Sequence, residues 1–305
     1  MLRAAFISLS ESKSIRSAAE KTWLGQRLSR RFVAGTTVDD ALAAAAAMNQ
    51  IGLGVSVDNL GENVTNADDA RHSAQLYHQM LDRMSSLDLK ANISLKLTHM
   101  GLDVDEGMAY EIASGVVEHA TRLENFVRVD MEGSAYTQRT LEFVHRLHAQ
   151  NGNDGHVGAV VQAYLFRSEK DIEQLITAGI RVRLCKGAYQ ESPEIAFEKK
   201  ADVDANYVKL MKMLLKSGIY HGIATHDENM IHATIKFAQQ ENISCSTFEF
   251  QMLYGIRRDL QAKLVKDGWR CRVYIPFGTE WYPYLMRRLA ERPANAIFIL
   301  KNLFR

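Results

Sequence analysis

The sequence predicts an α/β fold of the (β/α)8 barrel type, and three observations predict it. Eight short runs rich in β-branched and apolar residues follow one another along the chain. Segments with apolar positions at i, i+3, i+4 and i+7 separate them. The alternation fills about 250 residues, the usual size of such a barrel. The runs are VSVD (55–58), NISLKL (92–97), FVRVDM (126–131), GAVVQAYL (158–165), RVRLC (181–185), GIAT (222–225), STFEFQML (246–253) and RCRVYI (270–275). Strands that alternate with helices form a parallel sheet, and strands covered on both faces read as apolar runs. An open doubly wound sheet is the alternative. Its dinucleotide fingerprint is missing, because Gly52-Leu53-Gly54 leads to Val57 where a third glycine would stand.

Two segments are expected, a helical extension over 1–50 and the barrel over 51–305. Thr37 with Asp40 three positions on has the form of a capping box, and DALAAAAAMNQ after it has high helix propensity. Gly52 and Gly54 stop that helix. AQLYHQMLDRM, SEKDIEQLITAG and DANYVKLMKMLLKSG read as barrel helices, with Asn66 and Ser168 as caps and Gly179 and Gly218 as stops.

Composition excludes several classes. Hydrophobic residues make up 47% of 305, enough for a sizeable core. The formal net charge is +1, which gives no basic face for nucleic acid. Cys185, Cys245 and Cys271 are widely spaced, and no C-x-x-C, H-x-H or H-E-x-x-H spacing points to a metal. The start, MLRAAFISLS, is too short and mixed for a secretory segment. No run approaches the ~20 apolar residues of a membrane span. A reducing, cytoplasmic setting is expected, so the sequons at Asn63, Asn92 and Asn242 carry no weight.

In a parallel barrel the strand C-termini and the loops after them build the active site. Here those ends carry Asp58 and Glu62, Lys96, Asp130 and Glu132, Gln162 and Tyr164, Arg183, Lys186 and Tyr189, Thr225 and His226, Glu249 and Gln251, and Tyr274. Charges turned into a barrel must be paired or must serve a ligand. For any one residue an internal salt bridge explains as much as chemistry does; for a set at one end of eight strands a ligand explains more. His226 alone reads as a hydrogen-bonded core residue. Lys96 or Lys186, if buried beside another cation, would suit a Schiff base, which makes a lyase of the aldolase type the rival function. Tyr284, Arg287, Arg288 and Glu291 share a helix face. They suit either a solvated Arg–Glu pair or a bidentate grip on a small carboxylate.

Taken in order, these residues resemble the proline dehydrogenase family. YPYLMRRLAERP looks like the family's Y-x-x-R-R-x-x-E helix, and RVRLCKGAYQE is similar to its R-L-[VC]-K-G-A-Y segment. DNLGE (58–62), SLKLT (94–98), VDMEG (129–133), VVQAY (160–164), ATHD (224–227) and FEFQMLYG (248–255) match in sequence order. The resemblance runs from about residue 55 to 292.

It implies a barrel holding FAD at its strand C-termini, with a distorted last helix over the mouth. The implied reaction takes L-proline to Δ1-pyrroline-5-carboxylate by hydride transfer to FAD. Lys96, Arg287 and Arg288 would grip the proline carboxylate, Glu291 would face its amine, and Tyr189, Leu184, Tyr274 and Tyr284 would wall its ring. Asp130 with Tyr274 would orient the site, and Arg183 would reach the flavin N5. Gln162 and Met131 would touch the flavin ring. Lys186, Gly187, Ala188, Thr225 and His226 would hold its phosphates and ribityl chain, and Glu62 would pair with Arg287 as a gate. The phenol of Tyr274 would crowd 4-hydroxyproline. The chain resembles the monofunctional enzyme, with a slightly shorter loop between Tyr274 and Tyr284 than bifunctional relatives have. Relatives hand electrons to a membrane quinone, which implies a loose contact with the inner face of the cell membrane. The C-terminal AIFILKNLFR suits either lipid or packing on the core. Oligomeric state is left open.

Overall fold

The computed structural model describes residues 22, 29–152 and 154–291, the side chains of 287–291 excepted. The strands are β1 (Gly54–Asn59), β2 (Ala91–Leu95), β3 (Val127–Val129), β4 (Val157–Gln162), β5 (Arg181–Cys185), β6 (His221–Ala224), β7 (Phe248–Leu253) and β8 (Cys271–Phe277). All pair in parallel, in chain order, and close into a barrel. The helices are α1 (Val38–Gln50), α2 (Ala67–Ser86), α3 (Glu106–Arg122), α4 (Ser134–Gln150), α5 (Ser168–Thr177), α6 (Lys200–Lys216), α7 (Glu228–Gln240), α8 (Arg258–Lys266) and α9 (Trp281–Glu291).

Each strand has two faces, and the side chains divide by alternation. Outward positions such as Val55, Val57, Ile93, Val127, Val182, Phe250, Val273 and Ile275 are fully buried against helices in the main apolar core. Inward positions are polar. They include Ser56, Asp58, Ser94, Arg128, Arg183, Glu249, Gln251, Arg272 and Tyr274. Such a centre needs room for long side chains, and glycines supply it. A Cβ at Gly158 would lie 2.4 Å from the carbonyl oxygen of Arg181 and 2.7 Å from Nη1 of Arg128.

Local signals set the helix ends as expected in most places. Thr37 and Asp40 form the reciprocal capping box of α1, and the Asn66 side chain caps α2 through the Asp69 amide. Ser168 is different: it is the first residue of α5 rather than its cap, and its hydroxyl donates to the carbonyl of Gln162 at 2.5 Å. The run over 158–165 ends as a strand at Gln162, because the Ala163 and Tyr164 amides are drawn to the carbonyls of Cys185 and Lys186.

The ring of helices has an unusual closure. α1 lies against β1 and β8, the slot beside the last strand, and buries Ala41, Leu42 and Ala45 in the barrel core. α9 therefore sits elsewhere. Its Trp281, Tyr282, Tyr284, Leu285 and Met286 pack with Leu60, the residue after β1, and with Phe32 and Val33. That contact puts the start of α9 at the C-terminal end of the barrel.

Candidate active site

The C-terminal mouth gathers two carboxylates and two cations. Lys96, just past β2, sets its Nζ 2.9 Å from Asp58 Oδ2 and 3.8 Å from Asp130 Oδ2. Asp130, just past β3, accepts from Arg183 Nη1 at 2.7 Å and from the Tyr274 hydroxyl at 2.8 Å. Arg183 is fixed on its remaining sides. Its Nε donates to Gln251 Oε1 at 2.5 Å, and its Nη2 donates to Ser56 at 3.2 Å and Ser94 at 3.1 Å. A guanidinium has five N–H groups. One on Nη1 therefore has no partner among the described residues. The guanidinium carbon lies 5.2 Å from the Tyr274 ring centre.

The electrostatics follow from burial and pairing. Burial alone would lower Lys96, but the carboxylates of Asp58 and Asp130 outweigh it and hold the ammonium above its ordinary value. Asp58 is pushed up by burial and, against the pull of Lys96, by Asp130. Burial, with Asp130 and Asp58, holds the Tyr274 phenol protonated. Tyr274 is therefore a donor, and Lys96 a cation.

A second group lies around the loops after β5 and β6. The Lys186 ammonium is held by Asp204 and, at 2.7 Å, by Asp227 Oδ2. Thr225 Oγ1 accepts from the Asp227 amide at 3.0 Å, and His226 Nε2 accepts from the Leu253 amide at 2.9 Å. His226 thus carries its proton on Nδ1, as a hydrogen-bonded histidine. Gly187 has φ +116°, and a Cβ there would lie 2.1 Å from Tyr164 Cδ1. Only glycine lets this loop lie against the tyrosine ring. Glu191 ties the same loop to Ser134 at the start of α4.

Other expected site residues fall as follows. The Gln162 side-chain amide donates to the Glu132 carbonyl at 2.9 Å. Met131 is buried beside it in sequence, at the edge of the core. Ala188 is half-buried, and Tyr189 is exposed with its ring facing Gly133 across the mouth. Glu62 is half-buried and close enough to Lys96 to help hold it charged. Tyr284 is buried in the cluster under α9. Leu184 is fully buried among the outward core residues and offers no surface to the mouth, since alternation gives the inward face to Arg183. The backbone of α9 carries Arg287, Arg288 and Glu291, whose side chains lie outside the described residues. Glu249 is not at the mouth. It stands second in β7, at the base of the barrel, paired with Arg272 at 2.6 Å.

Three carboxylates matter more in the fold than their places in the sequence suggest. Asp58 was visible as a strand end but is the nearest anion to Lys96. Asp227 lies within ATHD, a matched segment. Asp204 sits in α6, and nothing in its surroundings in sequence links it to Lys186. Among the described residues no cluster of His, Cys, Asp and Glu has the makings of a metal site, and no helix is long and apolar enough to cross a membrane.

A closed parallel barrel with buried, opposed charges at its C-terminal mouth defines the class: an α/β-barrel protein with a polar ligand site there. The family model described as proline dehydrogenase matches residues 41–301. The chain belongs to the proline dehydrogenase family. It is 39% identical to proline dehydrogenase 2 of Bacillus subtilis (strain 168) over 98% of this chain and 97% of that one. It is 36% identical to proline dehydrogenase of Deinococcus radiodurans, over 100% and 98%. Among solved structures, proline utilization A from Bdellovibrio bacteriovorus, inactivated by N-propargylglycine, superposes with a TM-score of 0.85 at 25% identity. That match covers 97% of this chain and 36% of the longer protein.

Proposed function

We propose that this protein oxidises L-proline to Δ1-pyrroline-5-carboxylate, with FAD as acceptor and a membrane quinone as the next one, in the cytoplasm. Residues 51–305 carry the catalytic barrel, with the 1–50 segment as its helical extension. One observation carries the reading: the Lys96, Asp58, Asp130, Arg183 and Tyr274 network at the mouth of a barrel of this family.

The donor set suits a flavin dinucleotide. Arg183 has an unspent N–H for the flavin N5 edge, held by acceptors on its other sides. Gln162 and Met131 stand at the strand ends beside it. The side-chain-free turn at Gly187, next to Lys186 and Ala188 and opposite Thr225 and His226, suits a pyrophosphate and ribityl chain. When bound, FAD supplies the hydride acceptor. The protein supplies grip and orientation. Lys96, kept charged by its carboxylates, attracts the substrate carboxylate, and Arg287 and Arg288 of α9 complete the grip. Tyr274 and Tyr189 flank the ring, with Tyr284 behind. Glu291 balances the arginines and faces the amine, which must shed its proton before the adjacent carbon can give up hydride. Asp130, bridged between Tyr274 and Arg183, fixes both. Glu62 closes on Arg287.

The Schiff-base alternative is disfavoured by electrostatics. An amine nucleophile must be neutral, and a lysine is made so by burial or nearby cations. Lys96 and Lys186 each face two carboxylates instead. A visible spectrum before and after anaerobic proline tests the proposal. A flavin band that proline bleaches is expected; protein that takes up no FAD, or whose flavin proline leaves oxidised, overturns it.

A further inference from the structure

We propose that the N-terminal mouth of the barrel is a second binding site, for a small oxyanion, on the face opposite the active site. A cleft of about 400 Å³ opens there between the loop after α2 and the loop after α3. Its inner wall is Asn92, Arg128, Arg181, Tyr220, Glu249 and Arg272.

The charges of that wall do not balance. Glu249 is the carboxylate inside, and its oxygens are already taken by Arg272 Nε at 2.6 Å, Gln251 Nε2 at 2.6 Å and the Tyr220 hydroxyl at 2.9 Å. Arg128 and Arg181 form no ion pair among the described residues. Arg181 lies between aromatic rings, 5.3 Å from the centre of Phe126 and 5.8 Å from that of Tyr220. Arg128 is 4% exposed, and its Nη1 donates to the backbone carbonyls of Ala159 at 2.8 Å and Arg181 at 2.7 Å. An arginine stays charged in a protein. Neither cation thus has an ion pair of its own in the cleft; Glu249 acts on both from a distance while bonded to other donors, and burying an incompletely compensated charge is costly. The lining acids Asp88 and Glu124 come from the flanking loops, accompanied by Lys90.

Unused hydrogen-bonding groups mark the same place. Nε of Arg128 and Oδ1 of Asn92 are buried and have no partner among the described residues. Buried polar groups are normally satisfied, so two beside one cleft call for a ligand. Nε belongs to the edge with which a guanidinium grips two oxygens of a carboxylate or phosphate. Asn92 then contributes an acceptor to a protonated oxyanion, or its amide N–H when turned over. The glycine at 158 leaves the floor of the site to Arg128.

The test uses the full chain loaded with FAD, and the chain as purified if it takes up none, so that a failed flavin reading leaves the result intact. Inorganic phosphate and succinate are titrated at constant ionic strength against chloride, by calorimetry and by thermal unfolding. Saturable binding of phosphate or succinate, at least tenfold tighter than chloride, is expected. Tighter phosphate points to a phosphorylated ligand and tighter succinate to a carboxylate. Arg181→Gln is expected to weaken binding at least tenfold and leave the KM for proline unchanged. Asn92→Asp, which adds a negative charge in nearly the same volume, should do the same if Arg181→Gln folds poorly. A selenate soak should give its anomalous peak within hydrogen-bonding distance of Arg128 Nε. Phosphate, succinate and chloride acting alike, wild-type affinity in both variants, or selenate found elsewhere would each overturn the proposal.

Discussion

Lys96 shows how one side chain's charge decides between two chemistries. Its carboxylate neighbours keep it protonated, which suits holding an acid and not forming an imine. Replacing it by Met removes that cation and leaves Asp58 and Asp130 facing one another. Truncating one partner of such a buried pair costs about 2–5 kcal/mol. The KM for proline should therefore rise by roughly 30-fold or more, at about 1.4 kcal/mol per tenfold; steady-state kinetics that find it unmoved would remove Lys96 from the substrate's path. His221 allows a second test, of stability. Its Nδ1 accepts from the Val182 amide at 2.9 Å, so the ring is neutral, and burial pulls it down to about 3. The unfolded chain binds this proton near 6.5 and the folded chain does not, so stability falls as pH drops through that window. Between pH 6 and 4.5 the loss due to this residue is about 2 kcal/mol. Urea denaturation of wild type and His221→Gln at both pH values measures it. The variant should lose about that much less on acidification, and parallel losses in the two proteins would refute the assignment.

At the level of elements, α1 and the loop after β5 are the parts that depart from a regular barrel. Leu42 on α1 is 3% exposed and packs where the helix after the last strand would otherwise close the ring. Leu42→Ala should cost about 2–5 kcal/mol, as core truncations do. A cost below about 1 kcal/mol in denaturant titration would mean that α1 is an appendage. Gly187 controls the other part. Alanine there must adopt a left-handed φ and displace Tyr164. Gly187→Ala is expected to loosen the loop that Glu191 pins to Ser134, and limited proteolysis within 186–192 should speed up several-fold. An unchanged cleavage pattern would show that the tyrosine yields instead. The sequence made the eight strands legible because outward β-branched residues gave each an apolar run bounded by turns. It also exposed Lys96 and Asp130, which stand just past strand ends, and Arg183 and Tyr274, polar residues set within apolar strand runs. It did not reveal which charges pair. Asp204 reaches Lys186 from α6, and Glu249 belongs to the base although its run ends at the mouth; both depend on how helix and strand offsets add up around the closed ring.

Across the whole molecule the polar residues form a file along the barrel. Arg272 bonds Glu249, Glu249 accepts from Gln251, Gln251 accepts from Arg183, and Arg183 bonds Asp130, which also takes the Tyr274 hydroxyl. The file links the base to the mouth through the centre, where most barrels place apolar layers. Such a centre depends on complete pairing, and a ligand at the mouth adds partners to groups already aligned. A ligand that binds only the folded chain stabilises it by mass action, by about 2.7 kcal/mol at a hundredfold excess over its Kd. FAD should therefore raise the unfolding midpoint in a concentration-dependent way, and riboflavin, which lacks the phosphates, should raise it less at equal concentration. Lys186→Ala should bring the effect of FAD down toward that of riboflavin while leaving riboflavin's effect unchanged, because Lys186 stands beside the Gly187 turn and away from Arg183. Equal stabilisation of wild type and variant by FAD, measured by thermal unfolding without turnover, would move the phosphates away from the loop after β5 and leave Arg183 as the flavin contact still to be tested.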